Sequence, residues 1–249
     1  MHTETAEPLI YAHRGASAYA PENTLAAFRL ALEQGADGIE LDAKLSADGE
    51  VVVIHDQTVD RTTQGKGRVN QLALSELKKL DAGSWKGDAF NGEKIPTLAE
   101  VFASVGGKLK INVELTNYSS PQDGLPEKAL ALVQEYHLED TILFSSFLLS
   151  NLVAVRRVWP EASVGILAEP GLKGLRNRSK LSREISPDYM HPYFLDVSRR
   201  LVEREKAAGR LLNVWTVNSS IVMRKLIRFG VAGIITDDPL LGLKIREEA

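Results

Sequence analysis

Glu40 and Asp42 stand two residues apart in GIELDA, residues 38–43. Side chains alternate between the two faces of a strand, so both acids share one face, about 6–7 Å apart. Ile39 and Leu41 take the other face and read as the buried side. A third acid, Glu114 in KINVEL (110–115), shares its face with Asn112, while Ile111, Val113 and Leu115 point away. Carboxylates gathered on inward strand faces raise each other's pKa and leave desolvated anions, and a divalent cation removes that difficulty. The donors are hard oxygens, cysteine is absent, and no HxH or HExxH occurs. That donor set selects Mg²⁺ or Ca²⁺ over zinc.

Two histidines accompany the acids. His13 ends the run LIYAH (9–13) and His55 ends VVVIH (51–55). Imidazole changes charge near neutral pH, so one ring can take a proton while the other gives one. His2, His137 and His191 are expected to be ordinary surface or core residues. Arg14 sets a fixed cation beside His13, suited to a two-pronged grip on phosphate oxygens; its alternative role is an ion pair with a nearby acid. Trp215 in VWTVN is expected either to wall a pocket against a ligand or to fill the core. Asn218 lies where that strand meets its loop. Asp237 in ITDDP is expected to cap the following helix, and Asn23 in PENT to cap another, with Glu22 close enough to reach the mouth of a site.

Short apolar runs alternate with stretches of helical period, the pattern of βα units around a parallel sheet. Strands are expected at 9–13, 38–43, 51–55, 110–115, 141–146, 163–167, 188–191, 212–217 and 233–237. Helices are expected at 23–34, 97–105, 125–137, 147–158, 198–208, 219–229 and 239–248. About eight such units in 249 residues predict an α/β fold, a closed (β/α)₈ TIM barrel, built as one domain over 1–249. No glycine-rich dinucleotide fingerprint follows the first strand, which disfavours a doubly wound sheet. Reactive groups in such a barrel lie at the carboxyl ends of the strands, where these acids and histidines fall. Residues 57–96 are polar and turn-rich, with one short helix in SELKKLD; they read as a small insertion after the His55 strand, either a surface excursion or a rim over the site.

Bulk composition excludes several classes. With 30 basic and 33 acidic residues the net charge is −3, which favours neither nucleic acid nor an anionic membrane. Without cysteine there is no disulfide frame. The apolar run LIYA is too short for a signal peptide and no segment reaches the length of a membrane span, so a cytoplasmic location without stable membrane association is expected. The basic cluster Lys173, Arg176, Arg178, Lys180 and Arg183 is expected to be a solvated loop.

HRGASAYAPENT, ELD, VVIHDQTVDRTT, NVEL, SSF, WTVN and ITDDP follow one another in an order that resembles the glycerophosphodiester phosphodiesterase family over nearly the whole chain. The resemblance implies a TIM barrel with a small insertion, and metal-dependent hydrolysis of small-molecule glycerophosphodiesters to sn-glycerol 3-phosphate and an alcohol. Glu40, Asp42 and Glu114 would hold the metal, His13 and His55 would form the acid–base pair, and Arg14 would contact phosphate. Thr116 departs from the family pattern, which often has lysine two residues after the third acid. Two rival expectations remain at this stage: a related barrel acting as a lysophospholipase D or cyclising phospholipase, and a non-catalytic barrel that binds phosphate ligands. Oligomeric state is not legible.

Overall fold

The computed structural model describes residues 7–175, 177–178 and 185–249. His2, Arg176, Lys180 and Arg183 lie outside them. Eight parallel strands close on themselves: β1 (Leu9–His13), β2 (Gly38–Leu45), β4 (Lys110–Leu115), β5 (Ile142–Ser146), β6 (Val164–Ala168), β7 (Tyr189–Pro192), β8 (Leu211–Val214) and β9 (Gly233–Thr236). The last pairs with the first, Leu9 opposite Gly233, and completes the barrel.

Helices α1 (Leu25–Glu33), α3 (Leu98–Val105), α4 (Leu125–Glu135), α5 (Leu149–Val158), α6 (Arg199–Ala207), α7 (Ser220–Phe229) and α8 (Pro239–Glu247) surround it. Each observed helix falls within a stretch of expected helical period. The packing follows the alternation. Ile39, Leu41, Ile111, Val113, Phe144 and Ile166 face outward and form one apolar layer with α1, α3, α4 and α5. Around α6, α7 and α8 a second layer contains Leu212, Val214, Ile234 and Leu226. Gly230 ends α7 at φ +78°, a left-handed cap that a side chain would strain.

The third expected strand is corrected. β3 (Val51–Val53) is three residues long, runs antiparallel to β2 and lies outside the barrel. The reason is the link: Ser46 donates its N–H to Glu50 O across a turn carried by Gly49 at φ +81°. A turn this short can only reverse the chain, whereas a parallel neighbour needs a long crossover. His55 therefore sits beyond a hairpin, not at the end of an inner strand.

Between β3 and α3 the chain makes an excursion with one short helix, α2 (Leu74–Leu77). Val52, Ile54, Val59, Val69, Leu77 and Ile95 give it a small apolar core of its own. Trp85 and Lys86 project from it towards the carboxyl end of the barrel.

Candidate active site

Strand register assembles the acids. Asp42 lies opposite Glu114, Glu40 opposite Asn112, and His13 opposite Glu40. Glu40, Asp42 and Glu114 each offer an oxygen, and these atoms lie within 4.8 Å of one another. Burial, then the neighbouring charges of Asp42 and Glu114, push the Glu40 carboxyl well above its usual range. Burial and Asp42 likewise push Glu114 up to about 7. Burial works against Asp42 too, but Arg14, His55 and Lys44 hold its carboxyl below the ordinary value. Three acids this close are stable as anions only with positive charge among them. Asn112 Oδ1 is buried beside them without a hydrogen-bond partner. An all-oxygen donor set, crowded and partly orphaned, fits a hard divalent cation.

Both imidazoles are anchored in the same way. His13 Nδ1 lies 2.6 Å from Asp237 Oδ1, which leaves Nε2 facing Glu40 at 3.9 Å. His55 Nδ1 lies 2.7 Å from Asp56 Oδ1. A carboxylate on Nδ1 keeps the proton there and turns Nε2 to the cavity. Arg61 donates to Asp56 at 2.7 and 3.0 Å and to both Glu22 oxygens at 2.8 Å. Glu22 accepts from Arg14 at 2.8 Å, so a chain of ion pairs links His55 back to Arg14. Glu22, expected near the mouth, is thus a bridge. Asp56 is held well below the usual carboxylate range, chiefly by Arg61.

Two helix-cap expectations are corrected. Thr24, not Asn23, caps α1, its hydroxyl accepting from Ala27 N at 3.3 Å. Asn23 instead donates to Asp42 Oδ2 at 2.8 Å and accepts from Asp42 N. Asn23 and Arg14 both take φ +57°, a costly backbone for either residue, and both touch the acids. At the other end Asp238 caps α8, accepting from Leu241 N at 3.0 Å, while Asp237 is free to hold His13. Ser17 and Asn218 also donate to Asp237. Burial opposes its charge, but these donors and His13 bring its carboxyl down to about 2.

Arg14 makes the ion pair that was one of its two expected roles, and it also stands in the cavity wall. Its Nε lies 3.3 Å from Asp42 and its backbone N–H donates to Glu40. Trp215 lines the same cavity, with its indole N–H donated to His191 O at 2.7 Å. It continues an edge-on aromatic row through Phe147 to Tyr118, with ring centres 5.7 and 6.0 Å apart. His191 is a core residue, as expected, but its Nδ1 has no partner. His137 is exposed.

Lys44 was not foreseen. It stands on the β2 face that carries Glu40 and Asp42, and it is 4% exposed. Burial lowers its ammonium to about 8 against the pull of Asp42, Glu114 and Asp56. The alternation that pairs the two acids applies equally to residue 44 and was the available signal. Tyr118, which donates to Glu114 Oε1 at 2.5 Å, sits in a loop and left no such periodic trace.

The cavity at the carboxyl end, about 230 Å³, takes Glu40, Glu114, His13, His55, Phe147 and Trp215 into its walls. A second hollow of about 580 Å³ adjoins it, and His13 and Arg14 line both. Among the described residues no helix is long and apolar enough to cross a membrane.

Residues 13–241 match the model of the glycerophosphoryl diester phosphodiesterase family. The chain belongs to this family. It is therefore an enzyme of the phosphodiester hydrolase class. A glycerophosphodiester phosphodiesterase of Caldanaerobacter subterraneus subsp. tengcongensis is 44% identical over 93% of this chain and 94% of its own. One of Bacillus altitudinis is 35% identical over 96% and 98%. Among solved structures, an Oleispira antarctica phosphodiesterase in complex with the product sn-glycerol-3-phosphate superimposes with a TM-score of 0.87. It is 32% identical, and the match covers 97% of each chain.

Proposed function

We propose that the chain hydrolyses glycerophosphodiesters to sn-glycerol 3-phosphate and an alcohol, with two histidines moving the protons beside a bound divalent cation. The observation that carries this reading is convergence: three acids from two strands cluster within 4.8 Å, and two of them, Glu40 and Glu114, border one cavity together with two carboxylate-anchored imidazoles. The named product in the related Oleispira structure supports the substrate class.

Glu40, Asp42 and Glu114 are the residues that would hold the ion, Mg²⁺ or Ca²⁺ by donor chemistry. When bound, such an ion offsets negative charge on the phosphoryl oxygens. The chain's own groups do the rest. Arg14, fixed by Glu22 and Asp42, orients the phosphate. His55 borders the cavity with Glu40 and Glu114, and through Nε2 takes a proton from the water that attacks phosphorus as the P–O bond to the alcohol breaks. His13 borders both hollows and gives its Nε2 proton to the departing alcohol oxygen. Asp56 and Asp237 keep each ring turned for its task and stabilise its charged form. Trp215 and Phe147 wall the glycerol arm. Residues 57–96 are read as the family's insertion into one catalytic domain spanning 1–249.

The test is ³¹P NMR of glycerophosphoethanolamine and lysophosphatidylcholine with purified protein, before and after chelation. Conversion of the first to sn-glycerol 3-phosphate, silenced by chelator and restored by Mg²⁺ or Ca²⁺, is expected. Turnover of the lysolipid alone would favour a lipid-directed phosphodiesterase.

A further inference from the structure

The second hollow begins at His13, the proton donor to the departing alcohol, and at Arg14, which would grip the phosphate, yet the rest of its walls take no part in the proton transfers. Its walls beyond His13 and Arg14 include Ser17, Glu22, Trp85, Lys86, Asn218 and Asp238. A phosphodiester carries two ester arms on one phosphorus. With the phosphate at His13 and Arg14, one arm lies among Glu40, Glu114, Phe147 and Trp215, and the other must leave through this hollow.

The lining states what that arm should be. Acids, amide, hydroxyl and ammonium stand in its walls beside Trp85 and Ala18, so an acyl chain would desolvate polar groups without compensating bonds. Lys86 donates to Ser17 O at 2.7 Å, and an ammonium has three N–H donors, so more remain to offer. Trp85 is 44% exposed and presents a flat apolar surface beside the same ammonium, 5.9 Å from its ring centre. Its indole N–H is already committed to Ala82 O, which fixes the ring. Carboxylate acceptors, an ammonium donor and one rigid aromatic plate together suit a group with many hydroxyls and a C–H face. The volume, about 580 Å³, exceeds the needs of a two-carbon alcohol.

Resting on the proposed glycerophosphodiester activity, we infer that this hollow is the leaving-alcohol subsite. Trp85 and Lys86, carried in by the 57–96 excursion, select a polyol such as a cyclitol or a second glycerol.

The experiment compares glycerophosphoinositol with glycerophosphoethanolamine in the wild type, Lys86→Met and Trp85→Ala, with thermal melts to confirm folding. The wild type is expected to favour the inositol ester. Each variant is expected to cut the ratio of kcat/KM, inositol over ethanolamine, by roughly tenfold. Inhibition by sn-glycerol 3-phosphate, which occupies the other arm's cavity, should hold within about twofold in Lys86→Met. An unchanged ratio in a folded Lys86→Met protein, or loss of product inhibition along with it, would overturn the subsite. Failure of the wild type on both esters would instead count against the phosphodiesterase reading itself.

Discussion

Lys44 on β2 donates its ammonium to the hydroxyl of Thr116, just past β4, at 2.5 Å. The direction of that bond is fixed, because the Thr116 hydroxyl donates to Ala43 O at 2.8 Å and can only accept from Lys44. The family resemblance implies a lysine at residue 116, and here a cation reaches that place from the neighbouring strand. Lys44 lies within electrostatic reach of Asp42 and Glu114 without bonding either, so it adds charge to the site without occupying a ligand position.

Lys44→Met should therefore raise KM for a glycerophosphodiester by about tenfold while Mg²⁺ affinity, read by calorimetry, holds or tightens. The exchange Lys44→Thr with Thr116→Lys should recover most of the loss, since the charge returns from the other strand. Equal weakening of metal and substrate would make Lys44 a strap between strands and nothing more.

The two histidines should separate by leaving group. An alcohol needs a proton to depart, whereas p-nitrophenolate does not. His13→Ala and His55→Ala should each lower kcat on glycerophosphoethanolamine by about 10²-fold or more. On the p-nitrophenyl ester of glycerol 3-phosphate, His13→Ala should recover much of its rate and His55→Ala should not. Recovery in His55→Ala alone would reverse the assignment.

His191 carries a pH signature of its own. Burial in the barrel interior drops its imidazole to about 3 from an ordinary 6.5. Below about pH 6.5 the unfolded chain takes up this proton and the folded chain does not, so stability falls as pH falls towards 3. The slope from this one group is about 1.4 kcal/mol per pH unit. Urea denaturation of the wild type at pH 6.5, 5.5 and 4.5 should show a steeper loss than His191→Gln. Parallel losses would place the acid sensitivity elsewhere.

The barrel was legible because its evidence is periodic and repeated. Glu40 and Asp42 alternate with Ile39 and Leu41. In the structure residues 31–42 and 226–237 both run from a helix through a glycine into a strand, the unit that the alternation of apolar runs and helical period predicts. Glu114 declared itself by the same alternation as Glu40 and Asp42. What escaped was set by tertiary choice between neighbours of equal chemistry. In ITDDP either aspartate can cap a helix; the structure gives that work to Asp238 and turns Asp237 to His13. In PENT either Asn23 or Thr24 can cap, and Asn23 is drawn to Asp42 in spite of a positive φ. GIELDAKLSADGEVVVIHD (38–56) reads as two strands joined by a tight turn, yet VVVI is as apolar as a barrel strand and suggests that His55 ends an inner one. The short Ser46–Glu50 turn outweighs that signal. The chain Arg14–Glu22–Arg61–Asp56–His55 draws on separated segments, and no local pattern announces it.

The most direct test locates the ion and the phosphate together, by anomalous diffraction from crystals grown with Mn²⁺ or Ca²⁺ and sn-glycerol 3-phosphate. The account predicts one cation at about 2.0–2.6 Å from oxygens of Glu40, Asp42 and Glu114. A phosphate oxygen should complete its shell, and Nε2 of both His13 and His55 should face the phosphate. A cation seated elsewhere, or product bound away from these two imidazoles, would contradict it.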